Sequence, residues 1–305
     1  MTDDLQPSFH SAERNPQGAR AAIVTDSVAQ VPLELTRRLG IVTVPFSLTF
    51  EGIVYTDLRD VNLNHLYQRM RYEKDLHLTT SAPSVGMFHE TFMECLNQGA
   101  ESILYIGLSS RLSSAFSTAR EAAEMISSEL GSQPIFLFDS LLATVAQGFL
   151  AIEAARLAVK GIRPEAIMKQ LAGERQRTGF AAGLETLEYL ARGGRIGKAT
   201  YLLGNAIRIL PVVSIDDNGE VIPVSRKQGF DRVLEEIIGY VGRKITGYQH
   251  LSLAVMHADT LIQAKKLQTM AVDRFHPDEI YITDITPTMV AHAGPGIIGL
   301  AYHYT

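Results

Sequence analysis

The chain has 305 residues, 46% of them apolar, and a net charge of −5 from 28 basic and 33 acidic side chains. That length suggests two domains, each with its own core, and that charge leaves no global basic field to hold nucleic acid. Cys95 is the single cysteine, which excludes an intramolecular disulfide and any cysteine-built zinc or iron–sulfur site. Its setting, Phe92-Met93-Glu94-Cys95-Leu96, reads as a helix carrying a buried structural thiol.

Residues 1–20 carry Asp3, Asp4, Glu13, Pro16 and Gly18 and read as a disordered tail without a secretory signal. Ala21-Ala22-Ile23-Val24 is an unbroken apolar run, as expected of a strand buried on both faces. It ends in Thr25-Asp26-Ser27. Pro32 then opens a helix over 33–39, which Gly40 closes. Strand-like segments at 41–46, 103–106 and 135–138 alternate with helical ones at 64–74, 85–96, 117–130 and 143–160. Strands alternating with helices argue for a parallel sheet covered on both faces. Beyond residue 163 the pattern changes. A helix at 164–177 precedes short strands at 180–182, 210–215, 221–224, 251–256, 280–283 and 297–301. Asp216-Asp217-Asn218-Gly219-Glu220 is a hairpin turn, which implies an antiparallel pair and a mixed sheet. The expectation is an N-terminal three-layer α/β/α domain over 21–163 and a C-terminal two-layer α/β domain over 164–305. The longest apolar stretch, 141–152, is too short to span a bilayer, so a cytoplasmic protein is expected.

In an open α/β sheet, ligands sit beyond the carboxyl ends of the strands. Thr25-Asp26-Ser27, Ser109-Ser110 and Asp139-Ser140 all fall at such ends. The densest signal is residues 106–116, Ile-Gly-Leu-Ser-Ser-Arg-Leu-Ser-Ser-Ala-Phe, a turn between strand and helix. Hydroxyls, backbone amides and a helix N-terminus together hold an anion. No general base stands beside those serines, so the turn reads as a site that binds an acid. Thr79-Thr80-Ser81 forms a second hydroxyl-rich loop, with Ser84 as the N-cap of the helix that follows. Arg192-Gly193-Gly194-Arg195-Ile196-Gly197-Lys198 is a basic glycine-rich segment whose Arg195 can pair with a carboxylate or phosphate.

His292 precedes Gly294-Pro295-Gly296-Ile297-Ile298-Gly299. The spacing is formally G-x-G-x-x-G, but Pro295 in the loop and the short remainder rule out a dinucleotide-binding βαβ unit. His292 is a candidate donor to an anion. A serine hydrolase using Ser109 or Ser113 with His292, and Asp26 or Asp139 as third member, is the rival reading. Gly107-Leu108-Ser109-Ser110-Arg111 lacks the second glycine of a nucleophile elbow. A third reading is a regulatory module that binds a protein through 192–198.

Taken together, these segments resemble the DegV family of bacterial fatty-acid-binding proteins. The resemblance is carried by Ile23-Val24-Thr25-Asp26-Ser27, Thr80-Ser81-Ala82-Pro83-Ser84, Leu108-Ser109-Ser110-Arg111-Leu112-Ser113 and Asp139-Ser140. It continues through Leu187-Glu188-Tyr189-Leu190 with Gly193-Gly194-Arg195-Ile196, and His292-Ala293-Gly294-Pro295-Gly296. It implies two α/β domains and a long acyl chain in a buried tunnel. By motif, Thr80 and Ser113 would bond the carboxylate, with Ser81 and Ser114 adjacent. Arg195 and His292 would lie near the head group, and Ser27 and Ser109 in the same polar edge. It further implies no cofactor and no catalytic residue of the chain's own. The partner would be the kinase subunit of a fatty acid kinase, which receives the acid and makes the acyl phosphate. No integral membrane segment is implied, and transient membrane contact is compatible. The chain departs from the family pattern at Ser113-Ser114-Ala115, where Ser-Gly-Thr is usual, and at Val28, Gln30, Leu210 and Ala293. Residues 145–159 and 202–209 serve equally as tunnel wall or as ordinary core. Burying a methylene gains roughly 0.8 kcal/mol, so a tail of about fourteen gives an upper figure of about 11 kcal/mol before ordering costs.

Overall fold

A computed structural model describes residues 21–57, 62–73, 76, 78–202 and 209–305. The tail expected over residues 1–20 lies outside the described residues, as do positions 203–208 of the second candidate tunnel wall. The first half runs β1 (Ala21–Asp26), α1 (Leu33–Leu39), β2 (Val42–Val44), β3 (Ser47–Phe50), β4 (Ile53–Thr56), α2 (Leu63–Tyr72), β5 (Leu78–Ser81), α3 (Val85–Asn97), β6 (Ser102–Gly107), α4 (Ala115–Leu130), β7 (Ile135–Asp139), α5 (Thr144–Val159) and α6 (Pro164–Glu174). The second half runs β8 (Thr178–Gly183), α7 (Glu188–Arg192), β9 (Ile209–Ile215), β10 (Val221–Gln228), α8 (Phe230–Lys244), β11 (Leu251–His257), α9 (Leu261–Phe275), β12 (Glu279–Asp284), α10 (Pro287–Ala293) and β13 (Ile298–Tyr304).

The expected α/β fold, with one parallel and one mixed sheet, is what forms. The parallel sheet has strand order β2-β1-β6-β7. Its strands are apolar on both faces because both are covered. Ala22, Val24, Ile103 and Tyr105 face Phe88 and Phe92 of α3 and Ala119 and Ile126 of α4. Ile23, Leu104 and Ile106 face Leu35 of α1, Val145, Phe149 and Ile152 of α5, and Ile167 of α6. The mixed sheet has order β10-β9-β8-β13-β11-β12. Side chains alternate across it with period two. Ala181, Val212, Leu253, Val255 and Leu300 pack under α8 and α9, while Phe180, Ala182, Val213, Ile215, Ala254 and Met256 face the first half of the chain. Helix α5 lies between the sheets, against β1 and β6 on one side and β8 and β13 on the other. None of residues 145–159 lines the cavity described below; over 145–157 the helix is largely core, and Val159 at its end is exposed.

Three features depart from the sequence expectations. A third, antiparallel sheet of order β4-β3-β5 forms, closed by a tight turn at Glu51 and Gly52, both with positive φ. The segment expected to be a hydroxyl-rich loop is therefore partly strand, with Thr80 paired to Leu48 and Ser81 to Ser47. Helices α7, α8, α9 and α10 also arise where no element was expected. Helix α8 buries Val233, Leu234, Ile237 and Val241 along one stripe.

Candidate functional site

A cavity of about 420 Å³ opens between the inner face of the mixed sheet and the carboxyl ends of the parallel strands. That volume falls within the roughly 300–1,000 Å³ usual for small-molecule sites. Its inner walls are mostly apolar: Phe180 and Ala182 of β8, Val213 and Ile215 of β9, Val221 of β10 and Met256 of β11. Its outer end is polar. Thr80, Ser81, Ser113, Ser114, Arg195 and His292 all line it, and Ser81, Ser114 and Arg195 are exposed.

The polar end is built from four elements. Strand β5 presents Thr80, whose Oγ1 lies 2.7 Å from His292 Nε2 at the end of α10. Burial, with a smaller contribution from the Arg195 charge, lowers the His292 pKa to about 4, so the ring is neutral at pH 7. Its Nδ1 is buried without a partner among the described residues. A buried orphan N–H is rarer than a buried orphan lone pair, which assigns the ring proton to Nε2, donating to Thr80. The Thr80 hydroxyl proton is then free for a ligand. Gly193 packs on the same ring, where a Cβ would collide with Nδ1.

Ser113 and Ser114 sit at the N-terminus of the 16-residue α4. Ser113 Oγ accepts from Ala115 N at 3.2 Å, and Ser114 makes no side-chain cap. Ser84 caps α3 by accepting from Met87 N at 3.1 Å. Two helix N-termini therefore border the polar end, where their dipoles favour negative charge. Arg195 donates from Nε to Leu112 O (3.0 Å) and from Nη1 to Gly193 O (2.6 Å). Among the described residues no carboxylate is within ion-pair distance of Arg195.

Ser27 and Ser109 stand apart from the cavity. Ser27 Oγ donates to the buried Asp57 at 2.8 Å and accepts from Phe46 N at 3.0 Å. Ser109 Oγ donates to Gly219 O at 2.9 Å, and so ties the serine turn to the tip of the β9–β10 hairpin. At that tip Gly219 has φ +79°, and a Cβ there would strike Ser109 Oγ. Arg111 pairs with Glu220 at 2.8 Å beside it. The serine turn is thus clasped to the C-terminal half through Ser109, Arg111 and the Arg195–Leu112 bond.

A hydrolytic triad does not assemble. His292 faces Thr80 rather than Ser109 or Ser113. Asp139 accepts from the amides of Ser110 and Leu141. Asp26, wholly buried and pushed up to about 6 by that burial, is bonded to Tyr105, Gln147 and the amides of Val28 and Leu108. Cys95 is buried, which raises its pKa to about 11, so its thiol is inert. No cluster of His, Cys, Asp or Glu among the described residues could hold a metal ion, and no helix among them is long and apolar enough to cross a membrane.

The sequence reading missed Thr118, Thr144 and Thr288, which also line the cavity. Thr118 Oγ1 donates to Pro83 O at 3.0 Å, joining the two hydroxyl-bearing segments. Thr288 lies four residues before His292 on α10, hence on the same face. Thr286-Pro287, with proline at the first helical position, was the available signal for that helix.

The model of the family described as "Uncharacterised protein, DegV family" matches residues 20–305. A DegV domain-containing protein of Halalkalibacterium halodurans is 28% identical over 284 residues, 93% of this chain and 98% of its own. One from Staphylococcus aureus strain MRSA252 is 31% identical over 285 residues, 91% of this chain and 96% of its own. Among solved structures, one described as fatty acid binding of a DegV family protein from Thermus thermophilus matches with a TM-score of 0.86. It covers 94% of this chain and all of its own at 26% identity. DegV of Bacillus subtilis, described as a fatty acid binding protein, gives 0.81 over 94% of this chain and all of its own at 25% identity. The chain belongs to the DegV family.

Proposed function

We propose that this protein binds a long-chain fatty acid, its tail in the cavity and its carboxylate held by the hydroxyls of Thr80 and Ser113. The observation that carries the reading is a single cavity with apolar walls at one end and hydroxyls, a neutral histidine and two helix N-termini at the other. An unpaired carboxylate out of water is very costly, and several convergent donors remove that cost. Hydroxyls can rotate to serve a carboxylate, a protonated acid or an acyl phosphate. Ser81, Ser114 and Arg195 are exposed at the head-group end, which suits presentation of the acid to a kinase partner that forms the acyl phosphate. The chain itself then acts as a carrier rather than a catalyst, without a cofactor. The fatty acid binding described for the Thermus thermophilus and Bacillus subtilis proteins supports the same reading. Native mass spectrometry of the purified protein tests it. One stoichiometric acyl chain is expected, and no bound lipid even after addition of palmitate or stearate would overturn it.

A further inference from the structure

We infer that the cavity contains a second, inner polar subsite at the N-terminus of α5, which takes a neutral oxygen, hydroxyl or keto, carried along the acyl chain. The inference rests on the acyl-binding reading above. Its place in the fold is telling. Ala143 and Thr144 line the cavity beside Val28 and Leu108, the residues just past β1 and β6. From β1 the chain builds outward to β2 on one side, and through β6 to β7 on the other. The crevice beyond the strand ends at such a switch point is where open α/β sheets bind ligands.

The groups found there are unspent. Helix α5 starts at Thr144 with Ala143 as its cap residue, and among the described residues no side chain caps it. Among the described residues, the amides of Thr144, Val145 and Ala146 have no hydrogen-bond partner. Thr144 is 2% exposed and its Oγ1 has none either. Unpaired polar groups at this depth are rare in native proteins and call for an explanation. Thr144 also has φ +58°, a conformation unfavourable for a β-branched residue.

A bare helix N-terminus prefers an anion, but Asp26 argues against one here. Gln147, in the first turn of the same helix, donates to Asp26 Oδ2 at 3.0 Å, so a ligand carboxylate would sit near a second buried carboxyl group. A neutral oxygen avoids that repulsion. A keto oxygen accepts from the Thr144 hydroxyl and the helix amides, and a hydroxyl can also donate to Thr144 Oγ1.

The test is competition binding of 10-hydroxystearate, 12-hydroxystearate and 12-ketostearate against plain stearate. It uses the full chain and the near-isosteric Thr144→Val, with Thr144→Ala as a second variant should Val disturb folding. At least one oxygenated acid should gain about five-fold or more over stearate in the wild type relative to the variant, the scale of one net hydrogen bond. Equal ratios in wild type and both variants, the result a buried structural water would give, overturn the subsite. Stearate that binds the wild type upholds the acyl-binding reading whatever the ratios, whereas stearate that fails to bind overturns both.

Discussion

Thr80→Val keeps the size of the side chain and suits strand β5, but it removes the hydroxyl shared between His292 and the proposed head group. The ligand then loses a hydrogen bond to a charged acceptor, worth roughly 1.5–3 kcal/mol. That corresponds to a Kd weaker by about 10- to 150-fold. His292 loses the acceptor for its Nε2 proton, and an orphaned donor at this depth costs about 1–3 kcal/mol of stability. Both are measurable side by side: displacement of a fluorescent fatty acid at pH 7.5, and urea unfolding of the apo protein. If His292 acts on the ligand only through Thr80, adding His292→Ala to Thr80→Val should weaken binding little further. A Thr80→Val protein with wild-type affinity would refute the head-group placement. Strict additivity in the double variant would refute the relay.

Ser113→Ala should weaken acid binding while leaving α4 in place, since among the described residues the Ser113 hydroxyl bonds only the Ala115 amide; unchanged affinity in the same displacement assay would count against it. His292 and His303 both have pKa values lowered to about 4 by burial, so the folded state binds fewer protons than the unfolded one. Their contribution is complete above pH 6.5 and is lost as pH falls toward 4. Asp26, raised to about 6, works in the opposite direction over pH 6 to 3.8. Each histidine is worth at most about 2 kcal/mol between pH 6.5 and 5. His303→Gln should therefore show a flatter urea midpoint against pH, and a profile as steep as wild type would contradict this. Gly219→Ala should lower Tm and acid affinity together, because φ +79° disfavours alanine and the new Cβ presses on Ser109; wild-type values of both would show the clasp to be dispensable.

The strands of the parallel sheet are legible because a strand covered on both faces needs an unbroken apolar run, and Ala21 through Val24 is one. The third sheet is not. Ser47-Leu48-Thr49-Phe50 alternates over four residues only, and Glu51-Gly52 is a weaker turn signal than Asn-Gly. Site residues divide the same way. Thr80, Ser113 and His292 stand in motifs with a recognisable pattern, and the fold brings them to one cavity. Ser27 and Ser109 occupy equally suggestive motifs, but their hydroxyls are committed to Asp57, 30 residues away, and Gly219, 110 residues away. No local pattern says which way a serine at a strand end will turn. Thr144 was hidden for a related reason, because its importance lies in lacking a partner, and only the assembled core reveals that.

Helix α5 is buried along nearly its whole length and touches strands of both sheets. Gly148 seats it so closely that a Cβ would meet the Ala29 carbonyl. Two halves that share one central helix cannot swing apart as jaws do, since opening would strip apolar surface from both cores at once. On the proposed acyl-binding reading, cargo would pass through movement of the short segments around Thr80, Ser113 and Arg195, and the rate of lipid exchange should follow their local loosening rather than a hinge between the two halves.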